Sequence, residues 1–192
     1  NNSSYSSNNV FNTLAAGLYN ISYKDGNGCI ITENISLSQP LQLQSFLISS
    51  NDISCFGAMD GSIDIAISGG TQNSSSPLYN VSWLATNGFI SNNTNLSSIT
   101  SPGTYNATIT DANGCQAPTI SQYISEPLAL NAITTPQHVS CYGYNNGAIQ
   151  LQVFGGSLPY TSSWVGPNGF SSVLEDLQGL SSGIYTYDVI DA

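Results

Sequence analysis

Few side chains in this sequence could do chemistry. There are four cysteines (Cys29, Cys55, Cys115, Cys141), one histidine (His138), one lysine (Lys24) and a thin scatter of acids. A nucleophile needs an adjacent base, and the base needs a third group to orient it. His138 has no Ser or Asp partner that the sequence identifies, so it reads as a surface or half-buried histidine and the chain as a non-enzyme. The cysteines stand 26, 60 and 26 residues apart. That spacing contains no C-x-x-C pair of the kind structural zinc sites use.

Outside the cell, cysteines at fixed positions serve as disulfides, and four of them allow three connectivities. Cys55 with Cys115 would close a loop of about 60 residues, worth roughly 4 kcal/mol in the chain-entropy model. The alternative joins Cys29 to Cys55 and Cys115 to Cys141 across unit boundaries, and the sequence does not choose between them. Asp25, Asp111 and Asp191 are the remaining ligand candidates. Their hard oxygens suit calcium. Equally, an Asp two residues ahead of Asn-Gly bonds the amides of its own turn, so no cofactor is required and calcium is the one ion to test. Asn-x-Ser/Thr sequences begin at Asn20, Asn34, Asn80, Asn95 and Asn106, as expected by chance in a chain so rich in Asn and Ser.

The elements that position these residues come in copies. ISCFGAMDGSIDIAISGG, from Ile53, returns as VSCYGYNNGAIQLQVFGG, from Val139, which matches Cys55 with Cys141 and Gly69-Gly70 with Gly155-Gly156. Trp83 then matches Trp164, after a loss of five residues. A G-x-Y element occurs three times, carrying Tyr19, Tyr105 and Tyr185, and DGNGC and DANGC close two of the copies. These matches divide the chain into residues 1–39, the C-terminal part of a first repeat; 40–126, a complete second repeat; and 127–192, a third repeat lacking its last strand. Opening in mid-repeat, the chain reads as an internal piece of a longer protein, with export and anchoring signals expected elsewhere.

Within each copy the apolar period is two, the period of strands with one wet face. Ile63, Ile65 and Ile67 alternate with polar or small residues, as do Ile149, Leu151 and Val153. Asn27-Gly28 and Asn113-Gly114 signal type I′ hairpin turns. Short strands with turns about every 8–12 residues indicate a β-sandwich. Trp83 and Trp164 then fall on the third strand of their units, where core packing explains them better than sugar stacking.

Charge narrows the partners. One basic residue stands against eleven acidic ones, a net charge of −10, and only 6% of residues are charged. Nucleic acid is excluded, since neutralising phosphates takes Lys and Arg, and so is an anionic membrane surface. No apolar run reaches the roughly 18–20 residues of a membrane span. Disorder is excluded by 40% hydrophobic and 10% aromatic residues. Trypsin-like proteases are left one site, Lys24.

The set V-S-C-x-G, G-S-I, G-G, P-Y, W, G-x-Y and D-A-N-G-C resembles the SprB repeat of Bacteroidetes gliding-motility adhesins, which is itself similar to PKD-type domains. The resemblance implies tandem immunoglobulin- or PKD-like sandwiches in an extended array. It also implies an extracellular, cell-surface location, type 9 secretion, and a part in attachment and gliding. It supplies no binding site, and Asp60, matched by Asn146, makes a shared ligand doubtful. Partners are expected to be neighbouring repeats and external surfaces or polysaccharides. The repeats would serve as structural beads of an adhesin filament, or each would bind surfaces weakly and act through avidity.

Overall fold

The protein, described here from a computed structural model, is resolved at Ser7 and residues 10–192; residues 1–6, 8 and 9 of the first repeat lie outside the described residues. Its regular structure is fifteen β-strands and one short 3₁₀ turn among the described residues. The first repeat contributes an antiparallel hairpin, β1 (Gly17–Lys24) with β2 (Ile30–Leu37).

The second repeat is a seven-strand sandwich. One sheet has the order β3 (Gln44–Asn51), β4 (Gly61–Ser68), β7 (Leu96–Ile99). The facing sheet has the order β6 (Ile90–Ser91), β5 (Asn80–Ala85), β8 (Gly103–Thr110), β9 (Ile120–Ile124). Three strands facing four, with consecutive strands crossing between sheets, is immunoglobulin-like connectivity. The third repeat repeats it: β10 (Asn131–Gln137), β11 (Gly147–Phe154) and β14 (Leu177–Leu180) face β13 (Ser171–Ser172), β12 (Thr161–Val165) and β15 (Thr186–Ile190).

Alternation builds the core. Ile63 and Ile65 of β4 face Val81 and Trp83 of β5 and Tyr105, Ala107 and Ile109 of β8, all buried. The third repeat has a smaller core of Leu151, Trp164, Leu177 and Leu180, with Tyr185, Tyr187 and Val189 only partly covered. The reason is topological. In the second repeat β9 covers the outer edge of β8, whereas β15 has no such neighbour here. A 330 Å³ cavity beside Tyr185 and Tyr187, which His138 helps to line, occupies that flank. It is an uncovered core edge, and His138 is exposed there with no hydrogen-bonded acid beside it.

Two differences between the copies have plain causes. The junction prolines Pro40 and Pro127 are 87 positions apart, yet Cys55 and Cys141 are 86 apart. The extra residue is a bulge at Ile48, where the β3–β4 register slips between Leu47 and Ser49, while β10 pairs with β11 without a break. The five additional residues of the second repeat lie in the loop between β4 and β5, where length is tolerated.

The expected type I′ turns are not what forms. Positive φ falls on Gly28 (92°) and Gly114 (79°), but on neither Asn27 nor Asn113. Oδ1 of Asp25 accepts the amides of Asn27 and Cys29, and Oδ1 of Asp111 accepts those of Asn113 and Cys115. Gly28 N–H and Gly114 N–H also return to the Asp25 and Asp111 carbonyls. This is a type I turn followed by a left-handed glycine, the bulged alternative to a two-residue hairpin. The carboxylate selects it by capturing amides that a type I′ turn would aim elsewhere.

Candidate functional site: the two poles of each repeat

The residues that could do chemistry gather at the two ends of each sandwich. At the near pole the chain enters. Gly70 N–H donates to Leu41 O of the incoming linker, Thr71 N–H donates to Asp111 Oδ2 (2.9 Å), and Ala112 N–H returns to Thr71 O. Asp111 is therefore buried (2% exposed) but holds three backbone N–H donors. The third repeat copies the arrangement, with Gly156 N–H on Leu128 O, Ser157 N–H on Asp191 Oδ2 (2.8 Å) and Ala192 N–H on Ser157 O.

The hydroxyl of Tyr79 clamps the same corner by donating to Gly69 O (2.8 Å), and Tyr160 does so to Gly155 O. These two tyrosines, masked in the sequence by the five-residue length difference, could have been found by counting four residues back from each tryptophan.

At the far pole the chain leaves. Ile53 N–H donates to Ser125 O, Gly57 N–H to Glu126 Oε1 (2.7 Å) and Ser125 N–H to Asp52 Oδ1. Asp60 accepts from Ser54 N–H (3.0 Å), and Asn146 accepts from Ser140 N–H (3.1 Å). Asp and Asn share the carbonyl-type oxygen this contact needs. The exchange that argued against a shared ligand is thus explained by a shared turn.

The Asp25, Asp111 and Asp191 oxygens that suited calcium are thus engaged with backbone amides. Among the described residues no group of three or more His, Cys, Asp or Glu side chains is placed to hold a metal ion. The backbone amide of Thr71, ahead of those of Cys115 and Asn113, holds the Asp111 carboxyl below its ordinary value of 3.8, against the opposing effect of burial. Bonds from Ser54, side chain first, lower Asp60 likewise.

A folded value below the unfolded one means that the Asp111 contribution is present above pH 3.8 and is lost as pH falls through the folded value. Urea midpoints measured from pH 7 down to pH 3 should therefore fall for the wild type below about pH 4. Asp111→Asn, which sets an amide donor against Thr71 N–H, should start lower and show a flatter profile.

The core aromatics are fully engaged. Trp83 (0% exposed) donates from Nε1 to Asn93 O (3.0 Å), and Trp164 (2%) to Leu174 O (2.9 Å). No indole face is free to stack on a sugar. Tyr105 OH donates to Ser101 O (2.7 Å), Tyr185 OH to Ser181 O (3.1 Å) and Tyr19 OH to Ala15 O (2.7 Å). A tyrosine returning to the carbonyl four residues upstream at this corner is characteristic of immunoglobulin-like sandwiches. Phe89 and Phe170 pack edge-on against Tyr105 and Tyr185. Tyr105→Phe removes the shorter of two bonds to the Ser101 carbonyl, which keeps Asn87 Nδ2 as a donor, and should cost about 1 kcal/mol, read as a lower denaturation midpoint with unchanged slope.

The matched framework spans the segments that agree with a known family. The SprB repeat matches residues 47–83 and 133–169. The chain carries two segments that match the SprB repeat. Each matched segment runs from the first strand of its sandwich, through the far-pole cysteine loop, to the neighbourhood of the core tryptophan. No curated protein matches the chain. SprB repeats are structural units of cell-surface proteins, and no helix of the described residues is long and apolar enough to cross a membrane.

The four thiols are unpaired in this structure, with Cys29, Cys115 and Cys141 exposed and Cys55 partly so. Cys115 sits at the near pole beside Thr71, and Cys55 at the far pole beside Ser125 and Glu126. Between them lies the length of an eight-residue strand, roughly 25 Å, whereas a disulfide needs Cα atoms within about 7 Å. The intra-repeat bridge does not close in this fold. Cys29 with Cys55, and Cys115 with Cys141, each join the near pole of one repeat to the far pole of the next.

Proposed function

We propose that this chain is a stalk segment of an exported bacterial adhesin, its repeats serving as beads that carry a distant adhesive tip. One observation carries this reading: the repeat-matched residues other than the cysteines are consumed by the fold. Trp83, Trp164, Tyr105, Tyr185, Asp111, Asp191, Gly69 and Gly155 all hold core or pole contacts, and none is left facing outward as a ligand group. The junction adds support. Glu126 is bonded to the second repeat and Leu128 to the third, so Pro127 alone separates them, and proline restricts the backbone further.

A part in gliding motility, with export by the type 9 route, rests on the association of the SprB repeat with surface adhesins. The net charge of −10 would keep parallel stalks apart.

The second reading has its own observation. The segments Asn73–Ser76 and Ser91–Ser98 are largely exposed and polar, suited to hydrogen-bonding hydroxyl-rich surfaces weakly and in many copies. Beads coated with the chain distinguish the two. On glass and polysaccharide gels, with and without calcium, a stalk should hold no better than an acidic control protein. Retention well above that control would make each repeat a binding module and overturn the stalk reading.

A further inference from the structure

In an Asn-Gly dipeptide the main chain can attack the side-chain amide, because glycine sets no Cβ beside its own nitrogen. The chain has five such dipeptides, opening at Asn27, Asn87, Asn113, Asn146 and Asn168, and all five asparagines are exposed. What separates them is how each side-chain amide is held. Asn87 Nδ2 donates to Ser101 O, Pro102 O and Tyr105 Oη, while its Oδ1 accepts Phe89 N–H. Asn113 Nδ2 donates to Thr71 Oγ1 (3.0 Å). Asn146 is held at both atoms, its Oδ1 by Ser140 N–H and its Nδ2 on Ser140 Oγ. Asn27 and Asn168 make no side-chain hydrogen bond among the described residues. The Asp25 carboxylate caps the Asn27 turn at two amides, which leaves Asn168 the least restrained of the five.

The contrast between Asn87 and its repeat match Asn168 has a cause in the sequence. Thr86 N–H donates to Thr104 O, and Thr104 N–H donates to Thr86 Oγ1, which docks the loop on the segment that Asn87 grips. The match of Thr86 is Pro167, which has neither an N–H nor a hydroxyl. There the loop closes on itself. Phe170 N–H returns to Pro167 O (3.1 Å), with Asn168 at φ 56° and ψ 29° and Gly169 at φ 78°. Both central residues are left-handed, so this is a type I′ turn, held by its backbone alone.

We propose that Asn168 is a site of spontaneous self-modification, converted by the neighbouring main chain and water into aspartate and isoaspartate. The Gly169 nitrogen gives up its proton and attacks Cγ of Asn168. The N–Cγ bond forms, the Cγ–Nδ2 bond breaks, and ammonia leaves, so a cyclic imide remains. Water then opens the ring. Cleavage of the N–Cγ bond gives aspartate, and cleavage at the main-chain carbonyl gives isoaspartate. One water is consumed and one ammonia released, with no change of oxidation state. Either product adds a negative charge. Isoaspartate also lengthens the main chain by a methylene, which a two-residue turn cannot hold. β13 pairs with β12 only at Ser172 with Trp164 and Ser171 with Val165, and Phe170 packs edge-on against Tyr185. This corner of the third repeat therefore loosens, while the matched corner of the second keeps its form. The inference goes beyond the stalk reading and holds whether or not the repeats adhere.

The test incubates the chain in warm, mildly alkaline buffer, folded and in parallel in urea. Trypsin is left only Lys24, so a protease that cuts after aromatic residues releases the peptides. Chromatography with mass spectrometry then separates the amide, aspartate and isoaspartate forms at each site. In the folded chain Asn168 should convert about tenfold or more faster than Asn87, which must first break several hydrogen bonds, and ahead of Asn113 and Asn146. In urea, where those bonds are gone, Asn87 and Asn168 should convert at similar rates. Asn168→Gly keeps a residue suited to positive φ. It should abolish the fast conversion and hold the thermal midpoint of the third repeat steady during incubation, where that of the wild type falls. Equal folded rates at Asn168 and Asn87, or earlier conversion at Asn113 or Asn146, would overturn the proposal. So would the same gap persisting in urea, since the local sequence and not the fold would then set it.

Discussion

Replacing Trp83 by alanine is expected to unfold the second sandwich at temperatures where the third remains folded. Trp83 is fully buried, and its neighbour across the β5–β8 pair is Ala107, itself without exposed surface. The small methyl there leaves the space the indole fills and cannot itself refill it. Truncation of a buried tryptophan costs about 3–5 kcal/mol, and Asn93 O also loses its indole donor.

Against a domain stability of about 5–15 kcal/mol, that removes a fifth or more. It should lower the midpoint by about 12 °C or more for a unit of this size. Calorimetry should show one transition displaced and one unmoved. Trp164→Ala should displace the other. Trp164 packs at 5.1 Å against Tyr187, which occupies the place of Ala107 and lies across the β12–β15 pair from it. Part of that cavity can therefore be refilled, and the loss should fall at the lower end of the same range. A single shared transition displaced by either substitution would show instead that the two sandwiches unfold as one unit.

What could be read from the residues followed from how local each rule is. Alternation at Ile63, Ile65 and Ile67, or at Tyr105, Ala107 and Ile109, depends on neighbouring positions alone, and the strands lie where it places them. Repeat matching located the tryptophans and the G-x-Y corners in the same way. The features that escaped need a partner distant in sequence. Asn113-Gly114 suggests one turn, but the Asp111 carboxylate and Thr71, 40 residues away, impose another.

Asn95 and Asp176 look like surface polar residues. Each instead supplies the oxygen that accepts a strand amide, of Ile65 or Leu151, just beyond the end of the ladder to β7 or β14. The Asn-for-Asp exchange at that position hid the equivalence, as it did at Asp60 and Asn146. The cysteines show the limit most clearly. Sequence order sets Cys55 between Cys29 and Cys115 as natural partners, but strand direction carries those loops to opposite poles, and direction is a property of the sheet.

The second large effect tests the near pole, where that geometry is enforced. Gly69 and Gly155 adopt φ of 76°, a conformation that costs other L-residues roughly 1–2 kcal/mol. At these sites the cost is compounded. A Cβ on Gly69 would lie 2.1 Å from Gln42 O, and one on Gly155 2.0 Å from Ala129 O, both backbone atoms of the incoming linker. Neither atom can swing aside as a side chain would. The linker must lift, and the bond from Gly70 N–H to Leu41 O, or from Gly156 N–H to Leu128 O, goes with it.

Gly88 is the control, with φ of 87° and nothing within 4 Å of an added Cβ. Gly88→Ala should therefore cost about 1–2 kcal/mol, the backbone term alone. Gly69→Ala should reach about 3 kcal/mol or more, since a strained backbone and a lost buried contact add. Gly155→Ala carries a further consequence, because its linker is the junction. Releasing Leu128 frees the segment on both sides of Pro127, so amide exchange should quicken from Leu128 to Leu130 while the core strands β4 and β8 of the second repeat keep their protection. Equal costs for Gly69→Ala and Gly88→Ala in urea denaturation would mean that the linker does not rest on the glycine turn, and the head-to-tail stacking of the repeats would lose its anchor.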